Sequence, residues 1–304
     1  MRIWIDTDIG SDVDDALALA YALRHPDLQV VGVSTVFGDI PVRSAIARRL
    51  LDLAGAGDVP VLPGLGVPLT DGKVGVMFGH EGHGLLDGPE PVMRTASEDG
   101  GGARIAELVA AIDAVAPDVL VAIGPLTNLA AMVRAGATLP PLAVMGGKLT
   151  EVAIAHMTAD TPEWNWFCDP VAAQVVLGAG HATPPVLLPA EMTFRTRLAD
   201  GDVDALADGD ELAAAVAVLC RHWLEHQRTG FGSTDPAVTL HDPLTVAVLV
   251  AESLCTFAPH TIRVDERGAC HHGGEGAGPV RAAVDVDADA VRRHLMDHLL
   301  GPRA

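Results

Sequence analysis

Near the start of this 304-residue chain, the stretch from Ile3 to Asp15 sets five carboxylates, Asp6, Asp8, Asp12, Asp14 and Asp15, within ten positions. One or two acids before a helix are ordinary, because the helix dipole favours negative charge at its N-terminus. Five repel one another unless a cation neutralises them or some stay protonated. Oxygen donors of this kind select a hard divalent ion, Ca²⁺ or Mg²⁺. The competing reading is a solvated turn that merely carries surplus acids.

Two further patches could work with such a site. Glu163-Trp164-Asn165-Trp166 joins an acid, an amide and two of the four tryptophans just before Asp169-Pro170. Polar groups beside large aromatic faces suit a sugar or nucleoside, although a loop with tryptophans packed on the core has the same composition. His241-Asp242-Pro243 puts a histidine and a carboxylate at a helix start marked by proline. There Asp242 can ligate a metal and His241 can sit near a substrate. His80-Glu81-Gly82-His83 lacks the His-Glu-x-x-His spacing of zinc proteases. It reads as a polar loop from which His83 approaches a site only if the loop folds over it. His271-His272 and the charged run near Arg292 read as surface.

The elements that must position these residues alternate between strand and helix. Ile3–Ile5 reads as a buried strand, followed by a helix whose apolar stripe is Ala16, Leu19, Ala20 and Leu23. Asp12 is expected to cap that helix, with Asp15 as its capping-box partner. Strands are then expected at Leu28–Ser34, Val59–Leu62, Asp118–Ile123, Leu142–Met145 and Val186–Leu188. Helices are expected at Val42–Ala54, Ile105–Val115, Leu126–Val133, Val171–Leu177, Leu212–His226 and Pro243–Ala251. Thr261–Asp265 and Ala282–Val286 read as late, antiparallel strands, and Gly64–Gly102 as a long surface excursion. Repeated βα units predict an α/β fold: a single doubly wound domain over residues 1–304, with a mostly parallel sheet and helices on both faces. Sites in such sheets lie beyond the carboxyl ends of the strands. That edge groups Asp8, Asp39, Ile123-Gly124 and Gly146-Gly147.

Composition narrows the function classes. Acids outnumber bases 40 to 20, a formal charge of −20 that repels polynucleotide backbones. Hydrophobic residues make up 49%, yet no run reaches the ~18 apolar residues of a membrane span. No signal-peptide core precedes Asp6, so a cytoplasmic location is expected. The four cysteines form no Cys-x-x-Cys pair and read as thiols of a reducing compartment.

Taken in order, Asp6-Thr-Asp8-Ile-Gly10 with Asp14-Asp15-Ala16, Gly124-Pro-Leu-Thr-Asn128, Met145-Gly-Gly147, Glu163-Trp-Asn165 with Asp169-Pro170, and His241-Asp242-Pro243 resemble the Ca²⁺-dependent nucleoside N-ribohydrolases of the inosine–uridine type. The resemblance spans Met1 to about Val250 and implies the Rossmann-like fold of that family. It implies hydrolysis of a ribonucleoside to free base and ribose, with Ca²⁺ as cofactor and a homodimer or homotetramer as the assembly. Asp8 would be both a Ca²⁺ ligand and the base toward a metal-bound water. Asp15, Asp242 and the Ile123 carbonyl would complete the ligands. Asp14, Glu163 and Asn165 would bind ribose hydroxyls, Met145 would pack at the site, and His241 would lie beside the departing base, to which a near-neutral histidine can offer a proton or a hydrogen bond. Asp39 and His83 complete the expected substrate contacts.

Three departures from the family pattern bear on the sugar contacts. The acidic loop carries Asp12 in addition, Asp39 stands where asparagine is usual, and Met157, with His156 beside it, replaces another asparagine. Two other readings remain at this stage. A phosphatase with a strand-ending Asp-x-Asp would also bind Mg²⁺, but needs a lysine at a strand end, and Lys73 and Lys148 offer none. A metal-dependent ribose- or nucleoside-binding protein without turnover is the non-enzyme reading.

Overall fold

The computed structural model describes residues 1–86, 101–150, 153–154 and 157–300. In chain order the strands are β1 (Arg2–Thr7), β2 (Gln29–Thr35), β3 (Val61–Pro63), β4 (Val119–Ala122), β5 (Leu142–Met145), β6 (Val186–Leu188), β7 (Cys255–Val264), β8 (Cys270–His272) and β9 (Gly278–Val286). The helices are α1 (Asp14–Arg24), α2 (Ile40–Leu53), α3 (Gly101–Val115), α4 (Thr127–Arg134), α5 (Trp164–Cys168), α6 (Pro170–Gly178), α7 (Ala190–Thr193), α8 (Asp202–Ala207), α9 (Glu211–Thr229), α10 (His241–Ala247) and α11 (Ala288–Leu299). All nine strands join one sheet in the order β3-β2-β1-β4-β5-β6-β9-β7-β8.

The first six strands run parallel, and the order reverses beside β1, which pairs with β2 on one side and β4 on the other. That reversal opens a crevice at the carboxyl edge, where α/β sheets bind ligands. β9 continues the parallel set beside β6, while β7 pairs antiparallel to it, as the late strands were expected to do.

Alternation along β1 shows why both faces carry helices. Ile3 and Ile5 enter the core that includes α1, α2, α9, α10 and α11, whereas Trp4 enters the core of α3, α4 and α6. A strand buried on both faces reads as a continuous apolar run. Side-chain caps fix several helix starts: Asp39 accepts from the Val42 amide, Asp169 from Ala172, and Asp287 from Ala290. α1 differs from expectation. It starts at Asp14 after Val13, and Asp12 bends back to accept from the Val13 amide at 2.5 Å. The acid that looked like a cap is thus left facing the cavity described below. The run near Arg292, expected as plain surface, forms α11, with a bidentate pair to Asp202 at 2.6 Å. His271 and His272 lie in β8. Of the expected excursion, residues 87–100 lie outside the described residues, and from Gly101 the chain is already helical. No helix among the described residues is long and apolar enough to cross a membrane.

Candidate active site

A cavity of 1160 Å³ lies over the crevice beside β1. Asp8, Ser11, Asp12, Asp14, Asp15, Ile123, Met145, Met157, Glu163, Asn165, His241 and Asp242 all contribute to its wall. Strand ends and helix starts thus meet there from five separate stretches of chain.

The turn carrying Asp8 is built by backbone geometry. Gly10 has φ 123, and a Cβ there would stand 2.7 Å from Ile46. Few residues other than glycine tolerate that conformation. Gly124, just past β4, lets the neighbouring strand end approach, since a Cβ would lie 2.8 Å from the Asp8 carboxylate. Arg43, fully buried on α2, clamps the turn. Its guanidinium donates to the carbonyls of Asp8, Ile9 and Phe37 and to Ser11 Oγ. Nothing in the local pattern marks Arg43, because its partners are backbone atoms remote in sequence. Glu81 supports the same turn, accepting from Ser11 Oγ at 3.0 Å and from the amides of Phe78 and Gly79. Burial opposes its charge, but these hydrogen bonds outweigh it and hold the carboxyl below its usual range.

Four of the five N-terminal acids face the cavity. Asp6 does not: it accepts from Ser34 Oγ and, at 2.8 Å, from Asn128 Nδ2, and burial pushes it up to about 7. Its role is to join β1, β2 and α4. Asp14, Asp15 and Asp242 bring carboxylate oxygens within 4.8 Å of one another. Thr7 Oγ1 donates to Asp15, which fixes that side chain at the strand end. Burial, followed by repulsion from neighbouring carboxylates, drives Asp14, Asp15 and Asp242 well above the usual carboxyl range. Burial also raises Asp8, against the opposing pull of Arg43, and pushes Asp12 up to about 8. A divalent cation among these oxygens removes the repulsion that the fold otherwise sustains, so the donor set suits one.

On the opposite wall, Glu163 caps α5. One oxygen accepts from Asn165 N at 2.7 Å, the other from Gly147 N at 2.9 Å and Trp166 N at 3.1 Å. Burial nevertheless raises its carboxyl to about 7. The Asn165 amide donates to the Ile123 carbonyl at 3.1 Å and to the Met145 carbonyl at 3.4 Å. The β4 and β5 ends are thereby tied to the Glu163 loop.

His241 opens α10, with Nδ1 against Thr193 Oγ1 at 2.6 Å and its ring edge-on to Phe194. Burial lowers its pKa to about 4. The near-neutral value expected from sequence is therefore not found, and the ring is uncharged at pH 7.

Two expected substrate contacts are absent from the cavity wall. Asp39 is buried as the cap of α2, and His83 sits edge-on to His222 at 6.0 Å. His156 lies outside the described residues. Trp164, part of the aromatic patch singled out from sequence, lines the cavity, and Phe78, Trp223, Gln227 and Phe231 line it without having been singled out. Phe78, Trp223 and Phe231 pack together, with ring centroids 5.6 to 6.4 Å apart.

Comparison with known proteins bears on what this cavity does. Uridine nucleosidase 1 of Arabidopsis thaliana is 28% identical over 328 residues, covering 99% of this chain and 94% of the relative. The pyrimidine-specific ribonucleoside hydrolase RihA of Enterobacter sp. (strain 638) is 30% identical over 285 residues, covering 88% of this chain and 85% of that protein. The solved purine-preferring ribonucleoside hydrolase from Gardnerella vaginalis superposes with a TM-score of 0.78 at 25% identity, covering 98% of each chain. Residues 3–293 match the family described as inosine-uridine preferring nucleoside hydrolase, and the chain belongs to that family of ribonucleoside-hydrolysing enzymes.

Proposed function

We propose that the cavity performs this hydrolysis with a Ca²⁺ ion held by Asp15 and Asp242, joined by Asp8 and the Ile123 carbonyl. Asp15 and Asp242 rest on the strongest support, since they belong to the close carboxylate trio. Asp14 belongs to the same trio, and we assign it to a ribose hydroxyl. Metal affinity of Asp14→Asn against Asp8→Asn distinguishes ligand from sugar contact. When bound, the ion supplies Lewis-acid activation of water and offsets the clustered charge.

The chain's own residues supply the rest. Asp8 faces the cavity beside the other carboxylates and takes the proton of the water attacking C1′. The surrounding carboxylates stabilise the positive charge that develops on the sugar as the bond to the base breaks. Glu163 and Asn165, held by their backbone bonds, present a rigid edge to the remaining hydroxyls. His241, neutral at pH 7, acts as a hydrogen-bond donor toward the leaving base. This role uses the tautomer with the ring hydrogen on Nε2, in which Nδ1 accepts from the Thr193 hydroxyl 2.6 Å away.

The observation that carries this reading is the convergence of Asp8, Asp14, Asp15 and Asp242 on a cavity with an aromatic far wall. The decisive assay is ribose release from a panel of purine and pyrimidine nucleosides. Asp8→Asn is expected to lose about 10²–10⁴-fold in turnover while staying folded. Near-normal turnover in that variant moves the base role elsewhere. The reading includes a cytoplasmic location, which the four free cysteines support. It also includes a homodimer or homotetramer, which sedimentation velocity tests.

A further inference from the structure

α1 carries Asp14 and Asp15 at one end, and at the other, about 15 Å away along its axis, it meets a different set of ligand-bearing side chains. His25 is its C-cap residue. His294 and His298 lie four residues apart on α11, hence on one face of that helix. We propose that His25, His294 and His298 form a second metal site, for a borderline divalent cation of the Zn²⁺ type, separate from the carboxylate site. It does not depend on the catalytic reading above.

Geometry carries the assignment. One ring nitrogen from each histidine lies within 4.8 Å of the other two. Tetrahedral zinc with Zn–N of about 2.0–2.1 Å needs ligand nitrogens about 3.4 Å apart, so side-chain rotation of roughly an ångström closes the set. Two of the three rings already have outer partners of the sort that orient metal-bound histidines. His298 Nδ1 donates to the His294 carbonyl at 2.8 Å, leaving Nε2 with its lone pair. His294 Nε2 bonds the Tyr21 hydroxyl at 2.6 Å, leaving Nδ1 for the ion. His25 Nδ1 accepts the Asp27 amide at a long 3.2 Å, and surrendering that bond to change tautomer is the one adjustment required of this ring.

The environment supports it. His25 is buried and the other two are half-buried, so an ion can enter from solvent. Burial, reinforced by the facing rings, keeps His25 and His294 below the usual histidine pKa. A metal binds the neutral imidazole, the form this lowering favours for those two rings. Imidazole donors without a carboxylate in the set favour zinc, cobalt, nickel or copper over calcium. Aromatic packing alone is the competing reading, because Tyr21 contacts all three rings at 5.4 to 5.6 Å.

The test is a Co²⁺ titration of the full chain in saturating Ca²⁺, read by visible absorption and followed by displacement with Zn²⁺. One equivalent of Co²⁺ should give the bands of a four-coordinate site with three nitrogen ligands and a water. His298→Gln and His294→Gln should each weaken binding by about 100-fold or more, and Tyr21→Phe by about 10-fold. Asp242→Asn should leave it unchanged. The proposal is overturned if no such bands appear in the wild-type protein, if binding survives both glutamine variants, or if it is lost with Asp242→Asn alone. Should one glutamine variant fail to fold, the wild-type spectrum and the other variant decide.

Discussion

Arg43→Met removes the one guanidinium that holds the Asp8 turn from beneath. Three backbone carbonyls, those of Asp8, Ile9 and Phe37, lose their donor in a place where Arg43 is fully buried. An acceptor left unsatisfied costs about 1–3 kcal/mol, so the range is about 3–9 kcal/mol. Relaxation of the turn toward the open cavity draws this to the lower half, and breaking a buried charged contact typically costs about 3–5 kcal/mol. With an unfolding entropy of about 2.1 cal/mol/K per residue, a chain of 304 residues loses about 5–8 °C of Tm. Arg43→Lys separates charge from shape. A lysine keeps the positive charge near Asp8 and Asp15 but cannot fork to three carbonyls, so it too should lower Tm by several degrees. Calorimetry in Ca²⁺ and in chelator reads both variants. If both unfold within about 2 °C of the parent, this guanidinium does not hold the turn.

Three other outcomes follow from the site and its surroundings. Chelator should lower the Tm of the parent, because an ion that binds only the folded state stabilises it by mass action, and Asp15→Asn should blunt the response; an unchanged Tm together with no metal by elemental analysis would refute this. His241→Ala should cut kcat/KM on inosine or uridine far more than on 4-nitrophenyl riboside, whose leaving group needs no hydrogen bond, while parallel losses would assign His241 to the sugar or to Asp242. In chelator the buried carboxyls raised in the folded state, Asp6, Asp12 and Glu163 among them, should make stability rise as pH falls from 8 toward 5, and below about 6.5 His25 and His294 should work against that rise. His25 and His294 bind protons less readily in the folded state than in the unfolded chain, so their contribution is complete above that value and is lost toward their lowered folded pKa. Denaturant midpoints across pH 5–8 should show the rise toward low pH, and His25→Asn with His294→Gln should steepen it; an unchanged slope in that double variant would remove the two histidines from the balance.

The strand-turn-helix of Asp8, the parallel strands and the His241-Asp242 helix start were readable because each depends on local periodicity and capping chemistry. Which acid does what was not. Asp6 lies in β1 and Asp8 just past its end, yet one meets Ser34 and Asn128 while the other faces the cavity. Strand alternation alone would put positions two apart on one face; the strand ends at Thr7, and the turn through Gly10 aims Asp8 elsewhere. Asp169, quoted with the helix it begins, also accepts from Leu69, Thr70 and Thr127, so it fastens a loop as well as a helix. Asp12 had the spacing of a cap, but the helix starts two residues later. The pKa of His241 could not be read from its type, since burial beside Thr193 and Phe194 sets it. Arg43 and the histidine trio were invisible for the same reason: their partners come from distant parts of the chain.

The packing of α1 has a consequence for how the chain is made. Its neighbours include α10 and α11, which supply Asp242 and two of the three histidines. Roughly 220 residues separate its end from the start of α10, about 11–44 s of synthesis at about 5–20 residues per second. Throughout that interval the nascent α1 has no partner for the face that α10 and α11 will cover, and its acids lack the carboxylate that closes the trio. Translation therefore runs ahead of assembly here. α1 emerges early, but its packing is completed only once α10 and α11 have followed, and a ribosome stalled before Asp242 holds a chain that lacks the third carboxylate of the trio.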